Sequence, residues 1–286
     1  MPTGVVVLDV DGVVFPGQFI LNLARRRGWT VFPWTLADCL FFNLNRLSLE
    51  RLLTRSFGRL RGLPWEEVLA AYSSMGISPG TRETVAELKK GGRYVVLLSA
   101  GVPDSLVKDL ATHLGADEGA GIITEVLDGC LTGRVSGELA RSGGKLGYVE
   151  RLLAELGIPW SDVTVVGDDP NNLPLMRRAG RSVGFHATYT VRRAADELIE
   201  QDDLREMLSP GPRRAASQYP LHALPGRRPW LREVFRKLLH LTGLFVAVTA
   251  PRFPGVVSIL LIIAMALYLV CEFWRLNGVG LPLVRS

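Results

Sequence analysis

One segment, Val5-Val6-Val7-Leu8-Asp9-Val10-Asp11-Gly12-Val13-Val14, constrains the fold more than any other. An unbroken apolar run of strand length belongs to a strand buried on both faces, the habit of parallel sheets covered by helices. Residues i and i+2 of a strand point the same way, so Asp9 and Asp11 converge where the strand ends and a glycine turns the chain. Ligands of open α/β sheets bind outside such carboxyl ends. Two carboxylates placed there suit phosphoryl chemistry. One attacks phosphorus, the other handles a proton, and together they offer hard oxygen ligands to Mg2+.

The first 203 residues keep this α/β pattern. Short β-branched runs predict strands over 4–9, 94–98, 121–126 and 164–166, separated by segments of helical period. Between the first two strands lies a stretch over 14–93, far more than a crossover needs. Apolar residues recur there at helical spacing: Phe19, Leu21 and Leu23, then Leu36, Leu40 and Leu44, then Leu49, Leu52, Leu53 and Phe57. The surplus predicts a helical cap inserted over the strand ends, able to close on a ligand.

Composition sets the outer limits. At 286 residues, 48% hydrophobic and with a mean hydropathy of +0.21, the chain is too apolar for disorder and has room for one large domain and a smaller piece. Cys39, Cys130 and Cys271 are odd in number and lack C-x-x-C spacing, which argues against a disulfide framework or a zinc site and fits a reducing compartment. The run from Val5 to Leu8 has no basic region before it and is closed by acids, so it is not read as a secretory signal.

Three later features join the two carboxylates. Leu97-Leu98-Ser99-Ala100-Gly101 ends a strand in a small hydroxyl and open backbone N–H groups, suited to a phosphoryl oxygen. Gly143-Gly144-Lys145 precedes a helical segment, where a lysine reaching the strand ends balances carboxylate and phosphate charge. Gly167-Asp168-Asp169-Pro170-Asn171-Asn172 ends another strand in acids and amides, a candidate Mg2+ ligand set. In this order and spacing the four resemble the motifs of the haloacid dehalogenase superfamily of phosphatases, and most closely its phosphoserine-phosphatase-like branch. The stretch Asp128-Gly129-Cys130-Leu131-Thr132-Gly133-Arg134-Val135 also looks like that branch.

The resemblance spans residues 1 to about 200 and implies a Rossmann-like core, an aspartyl-phosphate mechanism and Mg2+ dependence. It assigns Asp9 as nucleophile, Asp11 as general acid and base, and Lys145 as the charge-balancing lysine. Ser99, with Ala100 and Gly101, would bind phosphate. Asp9, the main-chain carbonyl of Asp11, and Asp168 would hold the metal. The branch's second acid, four residues after Asp168, is replaced here by Asn172, so either Asn172 or Asp169 completes the metal site. Val13 stands where the branch usually has Thr. The basic residues Arg46, Arg51, Arg55, Arg59 and Arg61 of the insertion read either as a solvated face or as partners of an anionic substrate.

Beyond residue 205 the composition changes. Residues 206–230 are rich in Pro, Gly and Arg and read as a linker. Residues 231–286 read as a transmembrane helical hairpin, with a strong span of about 19 residues over 256–274 and a shorter one over 238–250. The excess of Lys and Arg before the first span and after the second puts both ends, and the catalytic domain, on the cytoplasmic side of the cell membrane. Glu233, Arg236, Lys237 and His240 fall at helical spacing as one polar stripe entering the membrane. With Gly243 and Glu272 this pattern looks like the start of the dolichol kinase and phytol kinase family of CTP-dependent lipid-alcohol kinases, although the chain supplies only about 60 residues of it.

Three functional readings result. The first is a membrane-anchored, Mg2+-dependent phosphatase of a phosphomonoester, with lipid or isoprenoid phosphates among its candidate substrates. The second is a component of a lipid-alcohol kinase system that pairs with a separate multi-helix membrane subunit. The third is a non-catalytic scaffold. Nucleic acid is not expected as a partner, because the basic residues gather at the membrane edge without interleaved aromatics.

Overall fold

The computed structural model describes residues 2–209 apart from Asn45. The expected hairpin, the stripe Glu233, Arg236, Lys237 and His240, and the linker beyond Ser209 lie outside the described residues. Among the described residues no helix is long and apolar enough to cross a membrane.

Strand β1 (Val5–Asp9) is buried at every position, as its apolar run requires. It pairs in parallel with β2 (Tyr94–Pro103) on one side and with β5 (Val163–Gly167) on the other. Outward from β2 lie β3 (Glu118–Leu127) and the antiparallel β4 (Cys130–Ser136), and outward from β5 lie β6 (Arg181–Phe185) and β7 (Glu197–Ile199), giving the order β4-β3-β2-β1-β5-β6-β7. The Rossmann-like sheet is therefore as expected but has seven strands where the sequence pattern picks out four. Strands β4, β6 and β7 are short or glycine-containing and carry little periodic signal. β2 also runs past the expected end at Leu98, through an irregularity in its pairing with β3 that places Ser99, Ala100 and Gly101 inside the strand. Such irregularities re-aim side chains and gather near active sites.

The insertion over 14–93 resolves into two parts. Helices α1 (Phe19–Arg27), α2 (Phe32–Asn43), α3 (Leu49–Arg59) and α4 (Trp65–Ser73) pack on one another as the cap. Helix α5 (Thr81–Lys90) instead packs against β2 and belongs to the sheet's flank. Ser48 starts α3 by accepting from the Arg51 amide, and the helix buries Leu49, Leu52, Leu53 and Phe57. The stripe containing Leu36 and Leu40 does form a helix, α2, but these leucines face outward. The residues of α2 that are buried are Thr35, Asp38 and Cys39. Periodicity predicts the helix without saying which side meets the core.

Hydrogen bonds tie the cap to the rest of the domain at several places. Backbone bonds join the α3–α4 loop to the β3–β4 hairpin, with Gly62 donating to the Leu131 carbonyl at 2.7 Å and Trp65 to that of Gly129 at 2.7 Å. On α3, the Glu50 carboxylate accepts from the Ser142 amide at 2.6 Å and from its hydroxyl at 3.1 Å. The Ser142 amide pulls the Glu50 carboxyl from 4.5 down to about 2. A depressed carboxyl contributes stability that is complete above its ordinary range and is lost as the pH falls toward the lowered value. Glu50→Gln is expected to speed amide exchange at Ser142 several-fold at neutral pH, on the order of 1 kcal/mol for so exposed a bond. The two chains should converge as the pH approaches 2. Equal exchange at neutral pH would remove Glu50 as a latch.

Candidate active site

Three neighbouring strands and one helix deliver the site. Asp9 closes β1, Ser99 lies in β2, and Asp168 and Asp169 follow β5. Lys145 lies in the first turn of helix α6 (Gly144–Leu156). Gly144 allows this approach, because a Cβ there would sit 1.9 Å from the Glu138 carbonyl oxygen. Gly12 is equally constrained: its φ is +76°, and a Cβ would fall 2.0 Å from Asp168 Oδ2. The turn after β1 thus closes tightly against the loop after β5.

Asp9 and Lys145 are both buried, with Lys145 Nζ 2.8 Å from Asp9 Oδ1. Lys145 also donates to Asn172 Oδ1 at 2.9 Å. The Asn172 amide nitrogen donates to Asp9 Oδ2 and, at 3.1 Å, to Asp169 Oδ1. Asn172 therefore ties the lysine to two carboxylates, with both ends of its side chain engaged. Asp11 accepts from the Phe19 amide at 2.7 Å and from the Ser99 hydroxyl at 2.9 Å. Ser99 Oγ in turn accepts from the Gly101 and Val102 amides at 2.9 and 2.8 Å. The Asp168 main-chain carbonyl is held by the amide and hydroxyl of Thr188, at 2.7 and 3.0 Å.

Four acids crowd around one lysine here. Burial, reinforced by the Asp9 charge, raises Asp11 to about 6 even though the Phe19 amide pulls the other way. Burial and then Asp9 raise Asp169 to about 7, and burial with the Asp169 charge lifts Asp168 well above the usual carboxylate range. Burial alone would lower Lys145, but the carboxylates of Asp9 and Asp169 outweigh it and hold the ammonium above its ordinary range. Carboxylate oxygens of Asp9, Asp168 and Asp169 lie within 4.8 Å of one another, and Asp168 Oδ1 is buried without a hydrogen-bond partner. This all-oxygen donor set, with one oxygen unclaimed, fits Mg2+.

Asp9, Asp11 and Asp169 floor a cavity of about 50 Å³. Since roughly 10–15 Å³ admits one water, the space takes a phosphoryl-sized group and little more until the cap moves. Its walls are Gln18 and Ile20 near the start of α1, Phe42 of α2, Leu49, Leu52 and Leu53 of α3, and Ala100, Gly101 and Asn171. The cap residues among these were not foreseen as walls, because a helical apolar stripe reads the same whether it meets a core or a cavity. Arg46, Arg51, Arg55, Arg59 and Arg61 are not among the lining residues, and Arg55 and Arg59 are spent on Asp38 at 3.2 and 2.6 Å. Among the described residues Cys39 is a buried free thiol and Cys130 a half-buried one.

Comparison with known proteins agrees with this geometry. The family model of haloacid dehalogenase-like hydrolases matches residues 6–177. The phosphoserine phosphatase of Methanocaldococcus jannaschii is 34% identical over 163 residues, covering 57% of this chain and 77% of that protein. The phosphoserine phosphatase of Streptomyces coelicolor is 32% identical over 196 residues, covering 68% of this chain but 47% of that protein, so the chain spans about half of that relative. A solved structure described as a phospho-aspartyl intermediate analogue of phosphoserine phosphatase superimposes with a TM-score of 0.69 at 29% identity, over 73% of this chain and 98% of that one. The chain belongs to the haloacid dehalogenase-like hydrolases, as a phosphatase of their phosphoserine-phosphatase-like branch with Mg2+ as its cofactor.

Proposed function

We propose that the chain hydrolyses a phosphomonoester with an uncharged, apolar leaving group, through an aspartyl-phosphate on Asp9, while tethered to the cell membrane by residues 231–286 with its catalytic domain in the cytoplasm. The observation that carries the chemistry is the buried Asp9 carboxylate at the cavity floor, flanked by Lys145 and two residues from Asp11. An Asp9 oxygen attacks phosphorus, and the bond from phosphorus to the ester oxygen breaks. Asp11, held by the Ser99 hydroxyl and the Phe19 amide, gives its proton to the departing alkoxide. It then takes a proton from the water that attacks the acyl phosphate, releasing inorganic phosphate and restoring Asp9. Lys145, which lines the cavity, faces the negative charge that builds on the phosphoryl oxygens. Asp9, Asp168 and Asp169 would hold Mg2+, which when bound neutralises phosphoryl charge.

The leaving-group side carries the substrate reading. Phosphoserine bears an ammonium and a carboxylate beside its ester. The cap walls, Gln18, Ile20, Phe42, Leu49, Leu52 and Leu53, offer no charge to pair with either. Burying such groups unpaired costs several kcal/mol, roughly 1–3 for each polar group and more for a charge. A lipid or isoprenoid phosphate meets no such penalty. The test is acid-quenched turnover of the full chain on a panel containing phosphoserine, glycerolipid phosphates and isoprenoid phosphates, with mass analysis of the peptide bearing Asp9. Phosphoryl mass on that peptide and a kcat/KM at least about 100-fold higher for the apolar esters are expected. Preference for phosphoserine would overturn the substrate reading, and turnover without a phosphorylated Asp9 would overturn the mechanism.

A further inference from the structure

Helix α2 carries its polarity inside out. Its inward side is Thr35, whose hydroxyl donates to the Val31 carbonyl at 3.2 Å, Cys39, and Asp38, which is ion-paired with Arg55 and Arg59 of α3. Its outward side holds Trp34, Leu36, Leu40 and Phe41, which are 64, 46, 53 and 50% exposed. At 3.6 residues per turn, these four with Pro33 and Ala37 form one arc of about 160° without a polar side chain. Trp29, 86% exposed, extends the patch just before the helix, edge-on to Phe32. A helix on a water-facing cap has the opposite arrangement. The buried Asp38, held by two arginines, also keeps α2 from rolling its apolar side inward, since breaking such a pair is costly.

The rim identifies the medium outside. Arg25 lies over the Phe32 ring at 5.0 Å, and Arg25 and Arg46 are exposed near the two ends of α2, without an ion pair to any described residue. Tryptophans at the edge of an apolar helical face, ringed by arginine, are the composition of a helix lying in a lipid interface. The surface is a convex helix face rather than a groove. The sequence of the same chain further supplies an apolar stretch over 256–274 long enough to span a bilayer, preceded by a basic segment.

We propose that the outward face of α2 is a membrane-docking surface, lying in the boundary between headgroups and acyl chains of an anionic bilayer. Phe42 of the same helix lines the cavity above Asp9, so docking brings that cavity to within about one helix diameter, ~10 Å, of lipid. The docking surface stands on the polarity of α2 and its basic rim, independently of the substrate reading.

The test uses the full chain reconstituted in vesicles containing phosphatidylglycerol, with Cys39, Cys130 and Cys271 replaced by alanine. Nitroxide labels are placed by Trp34→Cys, Phe41→Cys and, as a water-facing reference on α5, Lys90→Cys. All three positions are exposed, so each tolerates a label. Collision with oxygen, which partitions into lipid, is compared with collision with a water-soluble nickel chelate. The oxygen-to-nickel ratio at positions 34 and 41 is expected to exceed that at position 90 by about ten-fold, as for a face sunk 5–10 Å into the interface. A ratio equal to that at position 90 overturns the proposal. Shielding of positions 34 and 41 from both reagents also overturns it, by showing that protein rather than lipid covers α2.

Discussion

Replacing Asp9 by Asn is expected to lower kcat on any phosphomonoester by about 10⁴-fold or more, with no phosphoryl group trapped on the enzyme. The amide has almost the size of the carboxylate but cannot attack phosphorus. The fold should tolerate the change. Lys145 keeps its bond to Asn172 and the nearby charge of Asp169, and the crowd of acids loses one member. The melting temperature is therefore expected to hold or rise while turnover disappears. Activity within ten-fold of the native chain would remove Asp9 as nucleophile, and a matching loss of melting temperature would assign the effect to misfolding.

Lys145→Met is expected to cost stability as well as turnover. Methionine fills similar space, but it leaves Asp9 without its ion-pair partner in a site where Asp11, Asp168 and Asp169 are already crowded. Removing one member of a fully buried pair costs about 3–5 kcal/mol, a large share of a domain's total stability. Both Asp9 and Lys145 are almost wholly buried, so solvent does little to screen the loss. Chemical denaturation in a chelator should show this drop, and Mg2+ should recover part of it by binding the folded form. Unchanged stability in the chelator would mean that the acids relieve one another by protonation and that Lys145 is not their main counter-charge.

The neighbourhood of the two acids was legible in the sequence, because an apolar run ends there. β1 stops at Asp9, and it is the turn after it, not the pleat, that carries Asp11 to the same cavity. Ser99 and Asp168 follow the same rule, Ser99 after Val95-Val96-Leu97-Leu98 and Asp168 after Val165-Val166-Gly167. The role of Asn172 was not legible in that way. Its importance lies in bonds to Lys145 and Asp9, which are far away in sequence, and a single amide in a loop gives no sign of them. Strand β7 escaped because three residues carry no period, and β6 because a glycine interrupts it. The orientation of α2 was hidden for another reason. Leu36 and Leu40 satisfy a helical period equally well facing in or out, and the answer rests on Asp38 finding Arg55 and Arg59.

The central position of β1 also sets an order of events during synthesis. Of the described strands this one is made first, yet its neighbours on both sides are β2 and β5, and β5 ends at Gly167. At roughly 5–20 residues per second, the strand leaves the ribosome some 10–30 s before its second neighbour exists. During that interval a strand that is apolar up to Asp9, with two open edges, must be kept from pairing elsewhere. The helices of the cap, which emerge next and depend mainly on local contacts, can form while β1 waits. The chain thus completes its substrate cover before its catalytic floor, and the nucleophile comes into position only when the loop carrying Asp168 and Asp169 closes against it.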